Sequence, residues 1–400
     1  MNKEENLKTK NMCIITDGYP SDKRIVNTFV EQLINKFADF DINCYVIAPQ
    51  SLTRIWFKGF PKNPKEYYRV NENGKSIKVY SPYYFTFSNK KTIINTNKIN
   101  LYSFEKSVKK IFYKLSKTIK FDVIYAHFIF PSAIVANKLS KRNNIPVYFA
   151  YGENTSYTID YLGIEKTKKL LDGINGVISV STENKKRLID NNIIPEKLIR
   201  VFPNAINNNI FYKKDKMKAR EKLGFAKNDF ILAFVGRFVN VKGIDRLCDT
   251  LNLINNKNIK AIFIGEGNIK PNYKNTIFEG TIQHNEIADY LSASDIFVLP
   301  TTAEGCCNAI IEALACGIPV ISSKESFNDD ILDDSCSIRI NTMNVLEIKE
   351  AIERLYNDIK LREKLSEGAL YMAKKFEIQN RAKGIIEFIE GTMNNNIQEE

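Results

Sequence analysis

Short runs of β-branched and apolar residues alternate along the chain with stretches whose apolar positions recur every three or four residues. The first pattern predicts buried strands and the second amphipathic helices. In the first half, strands are predicted at residues 13–16, 44–48, 78–81, 123–126, 147–150, 177–180 and 200–202, with helical periods between them, among them 26–37 and 132–140. A second series follows at 231–235, 261–264, 296–299, 320–322 and 337–340. Such alternation predicts α/β units built on parallel sheets. A polar run at 204–209, after Pro203, marks the boundary. The fold class expected is therefore α/β, with two doubly wound, Rossmann-like domains facing a cleft. Residues 1–205 form the first, 206–378 the second, and 379–400 a closing helix and tail, the helix set back on the first domain. Residues 391–400 read as a frayed polar tail. Ligands of open α/β sheets bind at the carboxyl ends of the strands, so the chemistry is sought in those loops.

Composition narrows the class. The 400 residues are 44% hydrophobic and 26% charged, which excludes wholesale disorder. No run of about 18 apolar residues predicts a membrane-spanning helix. The first ten residues are polar and the apolar patch at 12–16 is too short for a signal peptide, so a cytoplasmic protein, at most peripheral at the inner face of the cell membrane, is expected. Seven cysteines without a CxxC spacing fit reduced thiols. With only His127 and His284, a His-rich metal site or a Ser-His-Asp triad is not expected. The pair Asp39 and Asp41 mimics a DxD metal motif but precedes a strand, and reads as turn chemistry.

The net charge of +12 is concentrated. Residues 51–120 hold 16 Lys or Arg against three acids, Glu66, Glu72 and Glu105, an excess larger than that of the whole chain. The same segment holds the only tryptophan, Trp56, in the aromatic and cationic run at 55–60. A helix is predicted over 99–120, with Leu101, Phe104, Val108, Ile111, Phe112, Leu115 and Ile119 on one face and Lys106, Lys109, Lys110, Lys114, Lys117 and Lys120 on the others. Two readings stand: a core helix with a solvated basic face, or an anionic membrane surface as partner through residues 51–120. No helix-turn-helix, RNP or zinc-finger pattern supports nucleic acid as a partner.

Three loops of the second series carry candidate chemistry. A predicted strand ends at Val235, and Gly236, Arg237 and Lys242 follow before a helix beginning near Gly243. Two cations on a strand-to-helix loop suit a diphosphate, the Arg through paired contacts and the Lys as a point charge. The next strand ends in Gly265-Glu266-Gly267, where two glycines would let a ligand approach the backbone closely. It lacks the third glycine of a dinucleotide fingerprint, which disfavours a nicotinamide dehydrogenase. The third segment, 296–321, reads strand, loop with Glu304-Gly305-Cys306-Cys307, helix from Asn308 to Cys316, and Gly317 as helix stop. N–H groups of 305–308 would point at an anion, aided by the helix dipole. Glu312, one turn inside the helix, could accept both hydroxyls of a ribose, and Glu304 the hydroxyls of a sugar. The adjacent cysteines read as small residues that let the backbone approach, and Cys316 as core. His127 is open between a core hydrogen bond and an acceptor contact; His284 reads as an exposed loop residue.

The set FVGR…KG, FIGEG and LPTTAEGCCNAIIEALACGIPVI resembles the retaining glycosyltransferase family 4, of GT-B fold and bacterial cell-surface polysaccharide type. The first half is similar more loosely, at Phe121 to His127 with Pro131, at Ser179-Val180-Ser181, and at Phe202 to Ile206. It departs at Tyr151-Gly152-Glu153, where the family usually has His-Gly, at Gly18, which stands without the common second glycine, and at Asn204-Ala205 in place of Asn-Gly. The resemblance implies a hexosyltransferase with catalytic residues Glu304, Arg237 and Lys242. Donor-binding residues would be Gly236, Arg237, Lys242, Gly265, Ile282, Glu304, Gly305, Cys306, Cys307, Asn308 and Glu312, with Glu312 on the ribose and Ile282 near the base. Acceptor-side candidates are Gly18, Tyr19, His127, Tyr151 and Glu153. It implies no cofactor and no metal, a nucleotide diphosphate sugar (UDP foremost) as co-substrate, and a lipid-linked saccharide as acceptor. A nucleotide-sugar 2-epimerase of the same fold and a non-catalytic membrane-associated adaptor are the alternatives.

Overall fold

The computed structural model describes residues 9–24, 26–87 and 96–398, with side chains of the last helix through Met393. The chain divides into two compact units. The first takes in the chain up to Val180, Asn184–Phe202 and the chain from Ala382; the second takes in Ser181–Glu183 and Pro203–Arg381.

The strands of the first unit are β1 (Asn11–Ile15), β2 (Asn43–Ile47), β3 (Gln50–Ser51), β4 (Glu66–Val70), β5 (Ser76–Tyr80), β6 (Tyr83–Tyr84), β7 (Val123–His127), β8 (Val147–Tyr151), β9 (Gly176–Ser179) and β10 (Ile199–Val201). Eight of them form one sheet in the order β10-β9-β8-β7-β1-β2-β5-β4, parallel throughout except for β4 against β5. β3 and β6 form a separate parallel pair. The predicted strands lie within two residues of these. β4 is an addition: on this edge strand half-buried and exposed residues alternate, so no buried run announces it.

Both faces of the sheet are covered. On one, Phe104, Val108 and Phe112 of the helix Thr96–Leu115 join Val135 and Leu139. On the other, Val30, Leu33 and Phe37 of the helix Thr28–Asp39 join Ala382, Ile385, Ile386 and Ile389 of the helix Ile378–Gln398. Two expectations are corrected here. The basic helix ends at Leu115 rather than 120, where Ser116 and Thr118 hydroxyls turn back to donate to Phe112 O at 2.9 Å and Leu115 O at 3.3 Å. The last helix does not fray at Gly391 but continues to Gln398. Thr392 meets the Tyr148 hydroxyl at 2.6 Å and Met393 packs on the core, so that turn has tertiary support.

The second unit holds β11 (Phe230–Val235), β12 (Ile259–Ile264), β13 (Thr276–Gly280), β14 (Ile296–Leu299), β15 (Val320–Ser323) and β16 (Ser337–Ile340), all parallel, in the order β13-β12-β11-β14-β15-β16. β11 is buried at every residue, as a central parallel strand must be. Strand order reverses between β11 and β14, and in the first unit between β1 and β7. Each unit is thus a doubly wound Rossmann-like sheet whose binding crevice belongs at the carboxyl ends of those strands. Among the described residues no helix is long and apolar enough to cross a membrane.

Candidate functional site

At the reversal in the second unit, three loops are bound together backbone to backbone. Gly236 N–H donates to Ile264 O at 2.9 Å and Phe238 N–H to Glu266 O at 2.8 Å. This closeness fixes the glycines. A Cβ on Gly265, whose φ is +146°, would lie 1.9 Å from Gly236 O. Gly265 thus permits the close approach of the neighbouring loop of the chain, a contact that the sequence does not announce. The loop after β14 is clamped to the same turn. Thr302 N–H donates to Val241 O at 2.9 Å, and buried Arg246 donates to Pro300 O at 3.0 Å and Thr342 O at 2.9 Å. Arg246 was not singled out in the sequence, where it is one more charge in an amphipathic helix.

These clamps set Lys242 against Glu304, 62 residues on, as an ion pair with little exposure on either side. Burial opposes the Lys242 charge, and Cys307 and Glu304 outweigh it, raising its pKa. Burial also pushes the Cys307 thiol up, so Cys307 is neutral and Glu304 is the operative partner. Arg237 is exposed beside this pair.

The helix Asn308–Ala315 starts next to it. Its N-cap, Cys307, supplies no side-chain hydrogen bond, which leaves the positive end of the helix to a ligand or water. The approach to it is held by Asn204, which donates to Cys306 O at 3.2 Å and Asn308 Oδ1 at 2.8 Å. The sequence placed Asn204 in the boundary segment and in a run similar to the family's, without assigning it a role. Burial pushes the Cys306 thiol up to about 12, so neither adjacent cysteine is a thiolate at neutral pH. Gly305 is buried in the turn ahead of them. Ile282 packs on the core of the unit.

Glu312 faces His284, with Nε2 and Oε1 2.9 Å apart. This corrects the reading of His284 as an exposed loop residue. A capping box between Gln283 and Glu286 winds the segment into a short turn, and the imidazole, edge-on to Phe211, reaches the helix. Burial works to lower the His284 pKa, but the hydrogen bond and charge of Glu312 outweigh it and the net shift is upward. A raised value means that the pair adds stability below the ordinary histidine range and loses it as pH rises through the folded-state value. The side chain is 35% exposed, so solvent screening keeps the effect below about 1 kcal/mol. Melting temperature measured from pH 5.5 to 8.5 should therefore fall less steeply in His284→Gln than in the parent chain.

In the first unit, Gly18 follows β1, with its carbonyl accepting from Thr16 Oγ1 at 3.0 Å and Asn27 Nδ2 at 3.2 Å. His127 ends β7, buried beside the rings of Phe29, Phe128 and Tyr125. These two lie at the reversal of that sheet. The rings of Tyr19 and Tyr151 are buried in its core. Burial pushes the Glu153 carboxyl up, and its carbonyl accepts from Asn184 at 2.8 Å and Arg187 at 3.1 Å. Among the described residues no group of three or more His, Cys, Asp or Glu is placed to hold a metal.

Comparison with known proteins places this architecture. Residues 26–209 match the model of Glycosyltransferase Family 4, and residues 215–371 that of Glycosyl transferases group 1. TuaC of Bacillus subtilis, a glycosyltransferase assigned to teichuronic acid biosynthesis, is 26% identical over 355 residues, covering 85% of this chain and 87% of its own. Sucrose-phosphate synthase from Thermosynechococcus elongatus superposes with a TM-score of 0.78 at 17% identity, covering 96% of this chain and 100% of its own. Anabaena HepE, solved in complex with UDP, gives 0.71 at 16% identity, again covering 96% and 100%. Two Rossmann-like sheets, the two matched models and these relatives agree: this chain belongs to the family 4 glycosyltransferases, with the GT-B fold, and is a glycosyltransferase.

Proposed function

We propose that this protein transfers a sugar from a UDP-sugar to a hydroxyl of a lipid-linked saccharide, with retention of configuration, in cell-surface polysaccharide assembly at the inner face of the cell membrane. The observation that carries the reading is the Lys242–Glu304 pair set beside the uncapped N-terminus of the Asn308 helix, at the β11/β14 reversal. Cations and free N–H groups gathered there suit a leaving diphosphate. Glu312 suits the ribose hydroxyls and Glu304 the transferred sugar. Neither carboxylate is free to act as a nucleophile, since Glu304 is held by Lys242 and Glu312 by His284. That supports front-face displacement. The bond from the anomeric carbon to the diphosphate oxygen breaks, the bond to the acceptor oxygen forms on the same face, and the acceptor proton passes to the departing phosphate. Lys242, Arg237 and the helix end meet the charge on that phosphate, so the reading calls for no metal and no cofactor. UDP in the Anabaena HepE structure and teichuronic acid in the name of TuaC support the donor and the polymer class.

The test is product analysis. UDP-sugars labelled in the sugar, incubated with a detergent extract of bacterial membranes, should pass label into the organic phase, with the anomeric coupling of the product equal to that of the donor. An epimerised nucleotide sugar formed without acceptor, or a product of inverted configuration, would contradict the proposal.

A further inference from the structure

The helix Leu52–Lys58 buries none of its residues, yet it carries Trp56 and Phe57, which are 63% and 81% exposed. Two large aromatics facing water on one short helix cost several kcal/mol of unburied apolar surface, about 1.5–3 each. Their surroundings extend the patch. Trp56 lies 6.2 Å from the ring of Phe85. Phe85 and Phe87 are themselves exposed and are fastened to the helix Thr96–Leu115, Phe85 N–H donating to Ser103 Oγ and Phe87 N–H to Asn100 Oδ1, both at 2.8 Å. On that helix Ile99 and Tyr102 continue the surface, and Lys106, Lys110 and Tyr113 follow at the same three- and four-residue spacing. The outward face is thus aromatic at one end and basic along the rest.

The charges are sorted as well. All three acids of the 51–120 segment are taken up by lysines: Glu105 by Lys109 and Lys138, Glu66 by Lys114 and Lys78, and Glu72 by Lys36. Lys58, Lys106 and Lys110 remain exposed around the aromatics. Aromatic side chains amid lysines whose stems can lie along an apolar layer are what a bilayer interface with negative headgroups selects. A second copy of the chain would bring the same cations face to face in a two-fold contact.

We infer that this surface, centred on Trp56, Phe57, Phe85 and Tyr102 with Lys106 and Lys110 beside them, docks on an anionic lipid bilayer. The lysines named in the sequence as one basic face are thereby divided: Lys109 and Lys114 are engaged with acids, while Lys106 and Lys110 meet the headgroups. The inference deepens the proposed function by naming how the protein reaches a lipid-linked acceptor. Its failure is separable, because transfer to detergent-extracted acceptor needs no bilayer.

The full chain is sedimented with vesicles of phosphatidylcholine alone or with phosphatidylglycerol. Binding is expected to the anionic vesicles only, falling with added salt. Trp56→Ser with Phe57→Ser should weaken it about tenfold or more. Lys106→Gln with Lys110→Gln should weaken it about fivefold per lysine. Both variants should keep the parent's melting temperature, showing that the fold is intact. No sedimentation of the parent, or sedimentation unchanged in both variants, would overturn the inference. So would variants that alter only the oligomeric state on gel filtration.

Discussion

Lys242→Met should lower kcat/KM for sugar transfer by about 10²–10³. The lysine is the buried cation at the phosphate end of the proposed donor site, and a charge aimed at a leaving group acts more strongly there than in water. The same substitution leaves Glu304 buried without its partner, which costs about 3–5 kcal/mol of stability in addition. The two effects can be separated by assaying transfer at a temperature where circular dichroism shows both the parent and Lys242→Met folded: the loss of activity should persist there, and activity equal to the parent's would show that Lys242 acts through folding alone. Arg237, exposed beside the pair, should be the lesser loss, about tenfold when changed to Ala.

Gly265→Ala should destabilise the second unit by roughly 3–5 kcal/mol and abolish nucleotide binding. Its φ of +146° is already costly for a residue with a Cβ, and that atom would lie 1.9 Å from Gly236 O, with no flexible side chain to yield. The loops after β11 and β12 would have to part, carrying Gly236 and Arg237 with them. Gly280 is the control. Its φ is nearly the same, +145°, but nothing lies within 4 Å of its Cβ position, so Gly280→Ala should cost only the backbone strain, about 1–3 kcal/mol. Urea denaturation of the two variants gives the comparison. Equal losses would mean that the loop contact contributes nothing.

Much of this architecture is legible in the sequence because central parallel strands are buried on both faces and so read as unbroken apolar runs, as in Ile231 to Val235. Edge strands lack that signal. β13 is half-buried and exposed along its length, and β4 alternates, although Asn73-Gly74 before β5 is a usable hairpin cue. The loops of the proposed donor site are legible as sets of residue types in strand-to-helix positions. Their partnerships are not. Nothing local in the chain says that Lys242 will meet Glu304, or that His284 will meet Glu312. Those contacts follow from which strands are neighbours across the reversal and from a capping box that turns the 283–286 segment. The glycines show the same limit. Gly265 is plainly a close-approach position in the sequence, but that the next loop of the chain approaches it is a property of the fold.

Calorimetric titration of UDP, GDP, ADP and CMP into the parent chain and into Glu312→Ala decides whether the Asn308 helix carries a nucleotide site. UDP should bind the parent, and losing the Glu312 carboxylate should weaken it about tenfold or more, the range of a hydrogen bond to a charged group. No binding by any of the four nucleotides, or UDP affinity equal in the two proteins, would contradict a donor site built on the Asn308 helix.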